Sequence, residues 1–295
     1  MPNTPQDPVN AFQRGSTPVP PASSLIVDGR LDEAAVQALG QRLAAGDSTT
    51  REKIVEVLID AGRRTDPLTP KGADTIGNAQ IVSLLAGPAL AVPDAGRAAA
   101  LDALRKLIPA ATLEKFGRAF LETLEKSPSD DGFLLIAKAK PNGAKQVVER
   151  LAQSPQWRND EAAKIARAAL GARDIEDQYL AAASAAESAG DGQELSRALG
   201  TLALIGTQRS LEAVARRLRT PLTIHMPGVF EKSVRLSVLD ALLYAFPDQP
   251  VLYPNNIVTE ADYTAAERFC TKTLGVTYTT PAPPFLTYRG YPMPL

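Results

Sequence analysis

Histidine and cysteine are almost missing, with one residue of each among 295. That excludes a disulfide framework, a zinc finger and any multi-histidine metal centre. Tryptophan also occurs once, and aromatic residues make up 5% of the chain. Neither sign of charge dominates: 32 Lys and Arg stand against 33 Asp and Glu, for a net charge of −1. A general nucleic-acid binder needs a basic surplus to neutralise phosphates, so the balance argues against a nucleic-acid partner. Long apolar runs are lacking too. The longest, such as Phe133–Ala137, fall far short of the ~18 residues that a spanning helix requires, so no membrane insertion is expected. The opening MPNTPQDPVN has no basic n-region and no apolar h-region. A cytoplasmic protein is therefore the simplest expectation. A periplasmic or secreted protein whose signal has been removed is the alternative.

Signatures of chemistry are equally scarce. No GxxxxGK[ST], HExxH or GxSxG occurs. His225, the single histidine, sits in a loop-like stretch with no nucleophile or acid patterned around it. Cys270 has no basic neighbour in sequence to lower its pKa and reads as a buried structural thiol. The pairs Asp130–Asp131 and Glu176–Asp177 lack the spaced oxygen ligands of a calcium loop and read as solvated turns. No catalytic residue, cofactor or metal ligand is assigned, and the chain is expected not to be an enzyme.

Apolar residues form 44% of the chain and charged residues 22%, ordinary stock for a globular protein. Arg outnumbers Lys and Ala is abundant, a bacterial-like composition that reflects genome base content. Three regions follow. Residues 1–24 hold six prolines and no apolar period. They read as a disordered leader, because too little apolar surface is available to offset ordering. Residues 25–247 show apolar spacings of three and four again and again, which predicts helices of roughly 10–16 residues joined by short turns. The stripe is Ile54, Val55, Val57, Leu58 and Ala61 in one helix, and Leu101, Leu104, Leu107 and Ile108 in another. It is Leu211, Val214, Ala215 and Leu218 in a third, and Val234, Val238, Leu239, Leu242, Leu243 and Phe246 in a fourth. Val214, Leu218, Leu239 and Leu242 are predicted to be core. Pro and Gly punctuate the helices, and no alternating strand pattern of any length appears.

A repeat runs through this region. The segment beginning at Pro141 ends in VVERL, and the one beginning at Gly206 ends in VARRL, 67 residues on. A fainter copy lies at Gly77–Leu85. A period near 66 suits two helical hairpins of about 33 residues each, units that bury their apolar faces only by stacking. With Ala198–Gly206 as a first helix ending in small residues and the VARRL helix as its partner, about 50–247 resembles HEAT-like, armadillo-type helical repeat proteins. The resemblance implies an all-α solenoid of stacked antiparallel helix pairs. It also implies a platform for a protein partner and no catalytic residue.

Residues 248–295 differ. Eight of the 24 prolines lie in 247–295, and six of the seven tyrosines lie from 244 onward. One helix is predicted over Thr259–Leu274, capped by Thr259 and Asp262. It is followed by an extended, aromatic and Pro-rich segment expected to cap the helices or engage a partner. The charge map supplies the candidate surface. Six acids and no bases lie between Asp174 and Glu194, whereas seven bases and two acids lie between Arg197 and Arg235. Such blocks steer a charged partner, or else pair with each other across neighbouring repeats. Arg209, Arg216 and Arg217 are predicted to point away from the apolar stripe. With Arg219, Arg235, Tyr288 and Tyr291 they form the expected partner-binding set. The expected function is a non-enzymatic interaction module: a HEAT-like scaffold, an adaptor or an immunity-type inhibitor holding an unidentified protein. An alkyl-base DNA glycosylase on the same scaffold is the alternative.

Overall fold

The described residues of the computed structural model are 19–27, 30–65, 75–225, 232–252 and 258–283. Their chain is mostly helical. It divides into two units, Met1–Leu135 and Ile136–Leu295, with the division falling inside a helix. Among the described residues the β-structure is confined to two two-residue ladders. Neither carries an alternating pattern long enough to be legible in the sequence.

In the first unit, a turn of 3-10 helix at Ala22–Leu25 leads into β1 (Ile26–Val27), which pairs antiparallel with β2 (Arg30–Leu31). Ala22 and Leu25 are buried, so ordered packing already begins within the last residues of the Pro-rich leader. Four longer helices follow: α1 (Glu33–Ala45), α2 (Ser48–Thr65), α3 (Ala79–Ala86) and α4 (Ala95–Leu107). Each packs on the next, and α1 also packs on α3 and α2 on α4. Asp32, Asn78 and Asp94 cap α1, α3 and α4 by accepting backbone N–H bonds that the first turn cannot otherwise satisfy. Arg51 is the polar knot of this unit. Only 1% exposed, it pairs with the capping Asp94 at 2.6 Å and donates to the carbonyls of Leu43, Pro88 and Ala89. One buried guanidinium thereby ties the end of α1 to the turn before α4. Two short helices, α5 (Ala110–Leu113) and α6 (Gly117–Lys126), then lead to α7 (Asp130–Ala139).

The second unit continues with α8 (Ala144–Ala152), α9 (Glu161–Ala169), α10 (Arg173–Ala189), α11 (Gly192–Ile205) and α12 (Gln208–Arg216). A turn of 3-10 helix at Arg217–Arg219 follows, then β3 (Thr223–Ile224) paired with β4 (Lys232–Ser233). The last helices are α13 (Val234–Ala245) and α14 (Glu260–Leu274). Packing again links each helix to its successor over α8–α13, and also α9 to α11, α10 to α12, α11 to α13 and α12 to α14. The sequence repeat maps onto the short helices α3, α8 and α12. In the last two, Ala144 and Leu211 are buried, as are Val148 and Ala215, at matching positions of the shared pattern. Val214, Leu218, Leu239 and Leu242 are all core, none more than 3% exposed. The two turns that begin the later copies touch: the Lys140 ammonium donates to the Gly206 carbonyl at 2.7 Å. Lys140 also has a left-handed φ of 44°, an arrangement that costs about 1–3 kcal/mol in a non-glycine residue.

Contacts fix helix direction at the end of the unit. Gly192, which opens α11, approaches the Thr223 carbonyl and Val234, which opens α13. Arg235 near the start of α13 pairs with Glu260 at the start of α14 at 3.2 Å, while Phe246 just past α13 meets Phe269 far along α14, ring centroids 5.2 Å apart. Helices α13 and α14 therefore run the same way. Gln208 at the start of α12 bonds the carbonyl of Leu274 at the end of α14 at 3.1 Å, so α14 runs against α12. Thr259 and Asp262 form the expected capping box at the start of α14.

Candidate interaction surface

The opposite-charge blocks of the sequence find each other. Helix α10 carries four of the six acids, and α12 with the 3-10 turn after it carries Arg209, Arg216, Arg217 and Arg219. Arg209 pairs with Asp177, and Arg217 pairs with Glu187 at 3.0 Å. The order of partners rises together along both helices, which sets α10 and α12 parallel. Glu176 is 5% exposed and accepts from the Thr207 hydroxyl. It is not the solvated turn expected of the Glu176–Asp177 pair, because this edge of α10 faces the capping Thr207 of α12.

The expected partner-binding residues separate into four groups. Arg209 and Arg216 are exposed, and each has an intramolecular acid, Asp177 for the first and Glu212 at 3.7 Å for the second. Arg217 departs from the expected outward direction: its side chain is 11% exposed, because it lies in the 3-10 turn after α12 and bends back to Glu187 and the Ala213 carbonyl. Arg219 and Arg235 are tied inward. Arg219 forms a two-pronged pair with Glu267, at 2.9 and 2.8 Å. Arg235 is 3% exposed, donates to the Leu218 carbonyl at 2.7 Å and lies under the Tyr263 ring. Tyr288 and Tyr291 lie outside the described residues. Most of the basic block is thus spent inside the fold, on pairs that each contribute at most ~1 kcal/mol where exposed.

Cys270 is buried. Burial pushes its thiol up to about 11, against a smaller opposing effect of the hydrogen bond to Tyr278. That suits a packed thiol and not a nucleophile. His225 is exposed. Among the described residues no three His, Cys, Asp or Glu side chains gather as a metal site would require.

A concave feature lies elsewhere, between α14 and the segment after it. Val276–Thr280 turns back along α14. Val276 is buried, the Tyr278 hydroxyl donates to the Ala215 carbonyl at 3.0 Å, and Arg219 lies 5.0 Å from the Tyr278 ring centroid and donates to the Thr280 carbonyl. The trough this leaves has a volume of about 490 Å³ and is lined by Arg219, Thr264, Glu267, Arg268, Thr271, Lys272, Thr277 and Tyr278. Sequence reasoning passed over Arg268 and Lys272. The available signal was that neither has an acid three or four residues away on its helix.

Comparison with protein-family models, curated proteins and solved structures finds no match to the chain.

Proposed function

We propose that the chain is a non-enzymatic protein-interaction module of the HEAT-like, α-solenoid kind, a scaffold, adaptor or immunity-type inhibitor that holds a protein partner on its surface. One observation supports the reading: within the second unit, helices pack on the next and on the next but one, with α10 and α12 parallel. That is the adjacency of stacked helix pairs in two layers, and such stacks present one continuous helical face to a partner. The intact chain, immobilised and exposed to lysate of its native host under cross-linking, is expected to retain one partner in stoichiometric amount. Recovery of nothing above a blank matrix overturns the reading.

The alternative, a glycosylase on this scaffold, is kept in second place by the trough beside α14, which combines cations, the aromatic Tyr278 and the carboxylate of Glu267. Glu267 is engaged by Arg219 and the Tyr278 hydroxyl by the Ala215 carbonyl, so both groups already have partners. Retention on a DNA column at low salt separates the readings, since phosphate contacts weaken steeply with added salt.

A further inference from the structure

Arg268 and Lys272 are both exposed on the rim of the trough, and among the described residues neither makes an ion pair or hydrogen bond. Each of the five arginines expected to bind a partner has an intramolecular acid instead. Like charges four residues apart on a helix repel by about 0.2–0.5 kcal/mol, and no acid on α14 relieves this pair. The trough floor is different in kind: it is made of the Tyr278 ring and the threonines 264, 271 and 277. The hydroxyls of Thr264 and Thr271 are turned away to the carbonyls of Glu260 and Val276. The one carboxylate in the lining, Glu267, is held by Arg219. What a ligand meets is therefore the Tyr278 ring and the threonine methyls of 264 and 271, with two positive charges along one edge that no acid among the described residues pairs.

The spacing selects the occupant. Residues four apart on a helix are separated by about 6 Å along the axis. In an extended peptide, side chains two residues apart point the same way and lie about 6.6 Å apart. From Thr264 to Lys272 the trough runs about 12 Å, room for three or four extended residues. We propose that this trough binds an extended acidic segment of another protein, in which two carboxylates separated by one residue meet Arg268 and Lys272 while the chain lies along Tyr278. The proposal rests on the interaction-module reading and names the chemistry of its partner.

The test uses the full chain and two fluorescein-labelled octapeptides of equal composition, one carrying Glu-Leu-Glu and one with its two glutamates four residues apart. Fluorescence anisotropy at 50 mM salt is expected to show saturable binding of the first, several-fold tighter than the second. R268E/K272E is expected to weaken it about tenfold or more with Tm unchanged, because both side chains are exposed and neither pairs with any described residue. R268Q/K272Q is expected to give an intermediate loss and serves as the reading if the charge reversal lowers Tm. No saturable binding up to 1 mM, equal affinity for the two spacings, or equal affinity of wild type and both variants overturns the proposal. So does tighter binding of a twelve-residue oligothymidylate than of the peptide, which assigns the cations to nucleic acid. The two levels separate in the lysate experiment. A partner captured equally by wild type and R268E/K272E leaves the module standing and removes the trough, whereas peptide binding with no captured partner does the reverse.

Discussion

The guanidinium of Arg235 lies 3.7 Å from the centroid of the Tyr263 ring, and the same group bonds Glu260 and the Leu218 carbonyl. One side chain thereby joins the turn after α12, the start of α13 and the first turns of α14. Its position next to the start of two helices is electrostatically poor, because both N-termini carry partial positive charge. The glutamate and the carbonyl at the end of the preceding turn compensate.

Replacing Arg235 with Ala removes the charge and leaves the Leu218 carbonyl without that donor. The expected loss is about 2–4 kcal/mol, since Arg235 is buried while the Glu260 side chain is 44% exposed and can rehydrate. Urea unfolding measures it. A loss below ~0.5 kcal/mol sinks the assignment of Arg235 as the joint. Arg216→Ala, at an exposed pair, should stay within ~0.5 kcal/mol of wild type.

Two glycines should respond with opposite sign. A Cβ on Gly192 would overlap the Thr223 carbonyl and come 3.2 Å from a Val234 methyl. Gly192→Ala is expected to cost about 1–3 kcal/mol or more. Gly200 lies inside α11, and a Cβ there has nothing within 4 Å. Gly200→Ala should stabilise by about 0.5–1 kcal/mol through helix propensity. Thermal melts of the two variants moving in the same direction would contradict this packing.

Leu218 has no exposed surface. Leu218→Ala should cost roughly 2–5 kcal/mol, the sum of lost transfer energy and the cavity left behind. Denaturant midpoints with unchanged slope are the readout, because a changed slope would report on the unfolded chain instead.

Stability should fall in alkali. Burial pushes Tyr263 up to about 12 from its ordinary 10, and Cys270 up to about 11 from 9. Both stay neutral in the fold while they ionise earlier in the unfolded chain. Their contribution is therefore intact below pH 9 and is lost as pH rises through 9 to 12. For Tyr263 the full loss is about 2–3 kcal/mol. Tyr263→Phe should flatten the decline above pH 10. A urea midpoint unchanged between pH 8.5 and pH 11 would refute the burial of both groups. Thiol labelling of Cys270 at neutral pH should likewise be slow and quicken only with urea.

Helix positions and the buried stripes were legible because periodicity of three and four reports one-sided burial directly. Leu211, Val214 and Leu218 show it at its clearest. The pairing of charge blocks was legible as a possibility, and the partners Asp177–Arg209 and Glu187–Arg217 were not. They depend on the register of α10 against α12, which lies some 30 residues away in sequence and is set by packing. The two ladders escaped notice because two residues carry no period. The buried state of Glu176 escaped too, since a carboxylate hydrogen-bonded across helices looks in sequence like any surface acid. Arg268 and Lys272 look in sequence like any surface cations, and their place beside the trough depends on how Val276–Thr280 folds back along α14.

The reversal of α14 bears on how this chain could be lengthened. A further helical hairpin joins a stack only if the last helix delivers the chain to the correct side with the correct polarity. Because α14 runs alongside α13 in the same direction, it delivers the chain to the opposite end of the layer, where Val276–Thr280 folds back over Ala215 and Arg219. If the chain is the repeat stack proposed above, a new unit is expected to be tolerated by insertion upstream, at the turn around Gly206, better than by appending residues directly after α14. An internal duplication of 140–205, which keeps the 66-residue spacing of the sequence repeat, is the register-preserving way to build a longer version.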